Sequence, residues 1–321
     1  MFQRDLLCIL VLACSTIFCI RAQDSLSQTQ YFRQYPDKVL IRTNLINTSN
    51  EFSLYNEKLK TNIEVIPNRK TTLGLSFNYD LLAFSFGFAP KIFNSNRDKE
   101  DGQIFSFSLN LYPGPWIQEI DFYKQNGFKV RAVDNASSHL PNASSLKIKG
   151  KTGFNFNPNF SFRAKNFENQ RQMISAGSFI PAISYSFTAL RKIRVLDQIE
   201  NANFYTIAIN PAYHYNWVIN EHFLVAGGFS LGLGAFHTSD RASSSTHLLT
   251  TSSLDLSLGY TTDAFYSGIR AYTQVQNQSS SSHAKVDDAV RYFSVVIGYR
   301  FDAPKFLKKT NEDLRRWLNS L

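Results

Sequence analysis

From about Lys38 to Phe301 large apolar residues alternate with small or polar ones at a period of two, in segments of roughly ten residues, the length a tilted membrane strand requires. Phe84-Ser85-Phe86-Gly87-Phe88, Phe105-Ser106-Phe107-Ser108-Leu109-Asn110-Leu111 and Phe229-Ser230-Leu231-Gly232-Leu233-Gly234-Ala235 show the pattern, as do Leu254-Asp255-Leu256-Ser257-Leu258-Gly259-Tyr260 and Phe293 to Phe301. The second face decides what kind of strand this is. A soluble barrel turns its large apolar residues inward and clothes its outside in Lys and Glu. Here the second face is Ser, Gly, Asn and Thr, which suits a crowded or wet lumen, while the rings and aliphatics suit lipid. The pattern predicts a transmembrane antiparallel up-and-down β-barrel of about 12 to 14 strands. A soluble periplasmic β-sandwich with a Phe-rich core is the other solution that period two allows.

Link lengths test the barrel independently, since outer-membrane barrels keep tight turns on one side and long loops on the other. Asn78–Asp80, Pro113–Pro115, Asn220–His222 and Thr261–Asp263 read as tight turns. Asn94–Gly102, Lys192–Ala202, His237–Thr246 and Asn277–Asp287 read as long links, so the two kinds alternate and both termini fall on the tight-turn, periplasmic side. One link disagrees: Pro67-Asn68-Arg69 reads as a tight turn where a long one is due. Tyr79, Tyr112, Trp116, Tyr213, Tyr215, Trp217, Tyr260 and Tyr299 stand where interfacial girdles are expected. Asn126 to Lys151 contains an irregular excursion, and its part Val133 to Gly150 is a candidate for a segment plugging the interior.

Composition sharpens this. With 321 residues, 43% hydrophobic, 14% aromatic and a mean hydropathy of -0.23, the chain is neither disordered nor a multi-span helical protein. Its apolar residues gather in one run only, Leu6 to Ile20, behind a short charged start; residues 1–22 read as a secretory signal peptide. Residues 23–36 then form a periplasmic leader, 37–301 the barrel and 302–321 a periplasmic amphipathic tail. In that tail Thr310 and Asp313 make a capping box, and Leu314, Trp317, Leu318 and Leu321 share one helical face. Cys8, Cys14 and Cys19 all lie in the signal, so the exported chain has no disulfide. Its formal charge of +9 falls to +8 when Arg4, Arg21 and Asp5 leave with the signal, but the basic residues are scattered, so no nucleic acid is expected. The expected partners are outer-membrane lipid and lipopolysaccharide, with the barrel-assembly machinery during insertion. Tyr299-Arg300-Phe301 at the end of the last strand is similar to the signal that such machinery reads.

Several blocks resemble a known family. Pro67-Asn68 leads to Leu73-Gly74, Tyr79 and Phe84 to Phe88, and then come Asp121-Phe122-Tyr123 and Gly127-Phe128. The most specific block is Phe160-Ser161-Phe162-Arg163-Ala164, followed by Arg171-Gln172 and Ser175-Ala176-Gly177-Ser178-Phe179. Together these are similar to the domain of unknown function 4421 family, exported proteins of Gram-negative bacteria, over roughly Tyr35 to Phe301. The resemblance implies an envelope barrel in the cell outer membrane and brings no catalytic residues with it.

If the large apolar residues face lipid, their partners face inward, and this assigns Glu119, Asp121, Arg163, Asp255, Arg270 and Arg300 to a lumen charge network. An Arg facing lipid at the bilayer midplane costs about 2–4 kcal/mol, so the inward choice is favoured. Such a network either braces the wall or forms a constriction or ligand site. Among the histidines His214 is the one catalytic candidate, inward by parity with Asn216 beside it, and able as a general base to serve a nearby Ser in a lipid-modifying barrel. No metal-ligand spacing and no phosphate-loop context occur, so neither metal nor cofactor is expected. The function expected is a narrow pore, a small-solute conduit or a structural envelope protein.

Overall fold

The computed structural model describes residues 31–309 except 57–60, 68–70, 94–102, 132–136, 196–197, 240–243 and 280–283. The stretch read as a signal peptide and most of that read as an amphipathic tail lie outside the described residues; of the latter, a short helix at 305–309 is described. Strands β1 (Phe32–Gln34), β2 (Lys38–Asn56), β3 (Thr61–Pro67), β4 (Thr71–Tyr79), β5 (Leu82–Phe88), β6 (Gln103–Leu111), β7 (Trp116–Arg131) and β8 (Ser137–Phe154) come first. A single-turn helix α1 (Phe162–Lys165) and β9 (Gln170–Gln172) follow. The rest are β10 (Ala176–Ile180), β11 (Ala182–Val195), β12 (Gln198–Ile209), β13 (Ala212–Ile219), β14 (Phe223–Ser239), β15 (Ser244–Thr261), β16 (Phe265–Ser279) and β17 (Ala284–Asp302).

All pairings in the large sheet are antiparallel, and β14 meets β15 as well as β12, so the sheet closes on itself as a barrel of twelve strands. Closure excludes the two-sheet sandwich. Two wall strands are interrupted by proline, which has no N–H for the ladder. β10 and β11 are one strand broken at Pro181, and β12 and β13 one strand broken at Pro211; both halves of the second pair with β14. Asn210 and Ala182 exchange backbone hydrogen bonds across the breaks, so the ladder continues.

The discordant link at Pro67-Asn68-Arg69 lies mostly outside the described residues, but the strands on either side of it run in the same direction. β3 and β4 both run antiparallel to β2, with Phe52 opposite Val65 and Val39 opposite Tyr79, so the chain keeps its direction between them. β3 also pairs with β7, bridging it to β2 above β4, β5 and β6. The long links are corrected as well. β11 and β12, β14 and β15, and β16 and β17 stay paired far into the stretches read as loops, with His237 opposite Thr246 and Asn277 opposite Asp287. Their Ser, Thr, Asn and Gln residues form a polar ladder extending past the length that a membrane needs. Val133 to Gly150 is no plug: most of it is β8, in register with β7 and β11.

The face assignment is decided by exposure. Leu256 is 52% exposed, Trp217 55% and Leu231 63%, and Phe86 and Phe293 lie on the same outer surface. Their neighbours Asp255, Ser257, Asn216 and Ser294 are buried within the barrel. Phe86 packs beside Phe107 at 5.1 Å between ring centroids, a cross-strand pair on the outer face. Two girdle candidates are corrected. Tyr112 turns inward and packs on Phe162, with ring centroids 6.5 Å apart, while Tyr79 is buried against Val39 and Ala303.

Candidate functional site

The lumen divides into two regions, and the first is filled by the chain itself. Between β8 and β10 the segment Asn155–Ser175 leaves the wall at the tight-turn end and folds inside the barrel. Phe160, Phe162, Ala164, Lys165, Phe167, Glu168 and Gln172 are all buried there. Ser161 caps α1, its Oγ accepting from the Ala164 amide at 2.9 Å. The segment is then tied to the wall by polar contacts. Arg42 donates to the carbonyl of Asn166 at 2.8 Å, and Asn110 donates to the Glu168 carboxylate at 3.0 Å. Asn216 donates to the Ser161 carbonyl and to Gln172 Oε1, at 2.9 and 3.0 Å. Lys165 Nζ lies 2.6 Å from Asp255 Oδ1, both ends buried.

Glycine on the wall makes room for this plug. Phe167, itself at a positive φ of 54°, stacks on Tyr266 and lies over Gly259 and Gly268; a Cβ at either glycine would collide with its ring. A Cβ on Gly228 would strike the His214 imidazole in the same way. The plug also clamps the N-terminal strand: β1 pairs with β9, and Asn169 donates to the carbonyls of Tyr35 and Lys38 at 2.9 and 2.7 Å. At the mouth Asp263 receives the Tyr35 hydroxyl, Arg33 and Arg171 at 2.7, 2.7 and 3.1 Å. The Tyr35 hydrogen bond, with the Arg33 guanidinium beside it, holds the Asp263 carboxyl below the usual carboxylate range. Burial and the Asp263 contact push the Tyr35 hydroxyl up.

The structure separates the predicted lumen residues. Asp255 is inward and belongs to the plug's anchor. Arg163 is not on a wall strand but on α1, its Nε 3.9 Å from Glu168 and its guanidinium over the Tyr112 ring. Arg300 sits at the mouth, donating to the Thr262 carbonyl at 2.8 Å and lying over Tyr35. His214 is 4% exposed, enclosed by Phe160 and Phe162 with Asp255 at 3.4 Å, so in this arrangement the imidazole packs the anchor and meets no solvent-open serine.

Glu119, Asp121 and Arg270 face the second region, on the loop side of the plug, where the lumen side chains stay half-buried. Lys151 pairs with Glu119 at 3.3 Å, Ser108 donates to Asp121 at 2.6 Å, and Lys149 reaches across the lumen to Gln274 at 3.4 Å. Tyr272 and Tyr292 stack at 5.0 Å, and Arg270 lies over the Tyr292 ring. Among the described residues no group of His, Cys, Asp and Glu could hold a metal ion. The residues that sequence reasoning missed are those of the plug, Ser161, Lys165, Glu168 and Gln172. The signal that could have found them is the pair of lumen-parity glycines 259 and 268, wall positions emptied for the Phe167 ring.

The family described as Domain of unknown function (DUF4421) matches residues 23–301. The chain belongs to this family. A search of curated proteins gave no sequence match. Among solved structures the chain is similar to an outer membrane channel from Pseudomonas putida F1, at 8% identity and a TM-score of 0.41, covering 87% of this chain and 100% of that one. It is also similar to the outer membrane protease OmpT from Escherichia coli, at 10% identity and a TM-score of 0.38, covering 84% and 98%. The transport unit of the autotransporter AIDA-I from Escherichia coli gives 10% identity and 0.37, covering 90% and 97%. At these scores the architecture of this DUF4421 member rests on its own strand pairing.

Proposed function

We propose that this protein is an outer-membrane barrel acting as a closed conduit for small solutes, its lumen sealed from the periplasmic side by its own Asn155–Ser175 segment. The membrane placement is supported by an outer face of Phe, Leu, Ile, Trp and Tyr around a polar interior, the arrangement that hydrocarbon demands. The observation carrying the closed state is the buried Lys165–Asp255 pair, which fixes the inner segment across the lumen instead of leaving an aqueous path. A buried charge pair is a weak source of stability but costly to break from one side, which suits a latch. Planar-bilayer recording of the purified full chain tests this. The wild type is expected to be silent, and Lys165→Met, which leaves Asp255 unpaired, to show step openings. A wild type that conducts steadily contradicts the closed state, and a Lys165→Met barrel as silent as the wild type favours a structural envelope role.

A further inference from the structure

Resting on that reading, we infer that the loop-side half of the lumen is a binding site for a small organic anion, with Arg270 as the group that receives its phosphate or carboxylate. Within the barrel Arg270 differs from every other enclosed arginine. Arg42 is spent on the plug backbone and Ser76, Arg163 faces Glu168, Arg171 meets Asp263, and Arg300 bonds the Thr262 carbonyl. Arg270 makes no hydrogen bond or ion pair among the described residues. Its buried Nε has no hydrogen-bond partner, its guanidinium lies over the face of Tyr292, 5.7 Å from the ring centroid, and the carboxylates of Asp255 and Glu119 act on it from beyond ion-pair distance.

An enclosed guanidinium left without acceptors is costly, and its planar fork of donors matches an oxyanion bidentately. The surroundings favour the same occupant. Lys147, Lys149 and Lys151 stand in β8 at lumen parity, opposite Tyr123, Asp121 and Glu119 in β7, so with Arg270 and the neighbouring Lys165–Asp255 pair the described residues set five cations against three carboxylates. A low-dielectric wall around an excess of one sign concentrates ions of the other. The Tyr272–Tyr292 stack beside Arg270 offers flat faces to a ring-shaped body. The ligand class is therefore an oxyanion attached to an aromatic or sugar ring, entering from the loop side because the plug closes the other end.

Calorimetric titration of the detergent-solubilised full chain with 4-nitrophenyl phosphate, and with the uncharged 4-nitrophenyl glucoside, tests the site. The phosphate is expected to bind at least tenfold more tightly, and more weakly as salt rises, with inorganic phosphate competing. Arg270→Gln is expected to lower its affinity at least tenfold and Arg270→Lys to restore only part, since an ammonium lacks the fork. Heat-modified gel mobility confirms that each variant is folded; should Arg270→Gln not fold, Arg270→Lys carries the comparison. Equal affinity for the two probes, no binding by the folded wild type, or unchanged affinity in the folded Arg270 variant overturns the site. A barrel that opens on Lys165→Met yet binds neither probe overturns this inference alone, whereas a wild type that conducts steadily overturns the closed conduit.

Discussion

The two halves of the lumen solve the same problem in opposite ways. Both enclose charged side chains behind a wall of lipid-facing rings. At the tight-turn end most of those groups are buried and many are met from within the chain: Lys165 by Asp255, Glu168 by Asn110, Arg42 by the carbonyl of Asn166, Gln172 by Ser161 and Asn216, while Arg163, His214 and Arg300 keep buried nitrogens without a hydrogen-bond partner. At the loop end they remain half-buried, and Arg270, lying over the Tyr292 ring, has neither a hydrogen bond nor an ion pair among the described residues. A satisfied polar network specifies one packing, whereas an unsatisfied group marks a place where something else binds. On the proposed reading, the difference separates the closing element from the ligand site.

Breaking the closed half at its latch gives the largest expected effect. Leaving one partner of a buried ion pair uncompensated costs about 3–5 kcal/mol. Lys165→Met should therefore free the inner segment in bilayers and make Asn155–Ser175 accessible to protease. Lys165→Met combined with Asp255→Leu should behave closer to wild type than Lys165→Met alone, because no charge is stranded. If the double variant opens as fully as the single, the pair does not latch the plug.

The faces of one strand provide the next contrast. Leu256 points outward and Asp255, next to it, points into the lumen. Leu256→Arg should cost about 2–4 kcal/mol if the residue lies near the bilayer midplane. Ser253→Arg, at lumen parity on the loop side, should cost far less. Urea unfolding of the refolded barrel in lipid vesicles measures both, and equal losses would contradict the inside-outside assignment. A smaller change comes from the glycines beneath the plug. Gly268→Ala puts a methyl where the Phe167 ring lies, and overpacking of this kind costs about 1–3 kcal/mol. The expected readout is a faster proteolytic cut in the plug with the barrel's gel mobility unchanged.

The wall was legible from sequence because period two is a local property: each lipid-facing ring announces its own face, and Phe86, Phe229 and Leu256 could be placed without knowing their neighbours. The plug was not, because its order depends on contacts between residues far apart in the chain. Phe160 and Phe162 stand two apart as strand neighbours do, yet they pack inside, and Lys165 has meaning only when β15 brings Asp255 to it. The same held for β3 and β4, whose common direction is visible only from their pairing with β2. The resemblance to DUF4421 rested most heavily on Phe160 to Phe179, and that block turns out to be the inner segment and the strand leaving it. The part of the sequence with the weakest periodicity therefore carried the strongest identity.

The gentlest probe of the closed half is pH, acting at its rim. Asp263 joins Tyr35 and Arg33 of the N-terminal segment to Arg171 of the plug. Because the folded state holds its carboxyl below the ordinary value of 3.8, the contacts contribute fully above that value and are lost as pH falls through the lower, folded one. The group is largely exposed and screened, so the effect is confined to the mouth. Amide exchange in Phe32–Gln34 should speed up on acidification below pH about 4, and Asp263→Asn should show the faster exchange already at neutral pH, with no change in anion binding on the loop side. An Asp263→Asn barrel whose N-terminal strand keeps wild-type exchange at every pH would place the clamp on β1 in the Asn169 hydrogen bonds alone.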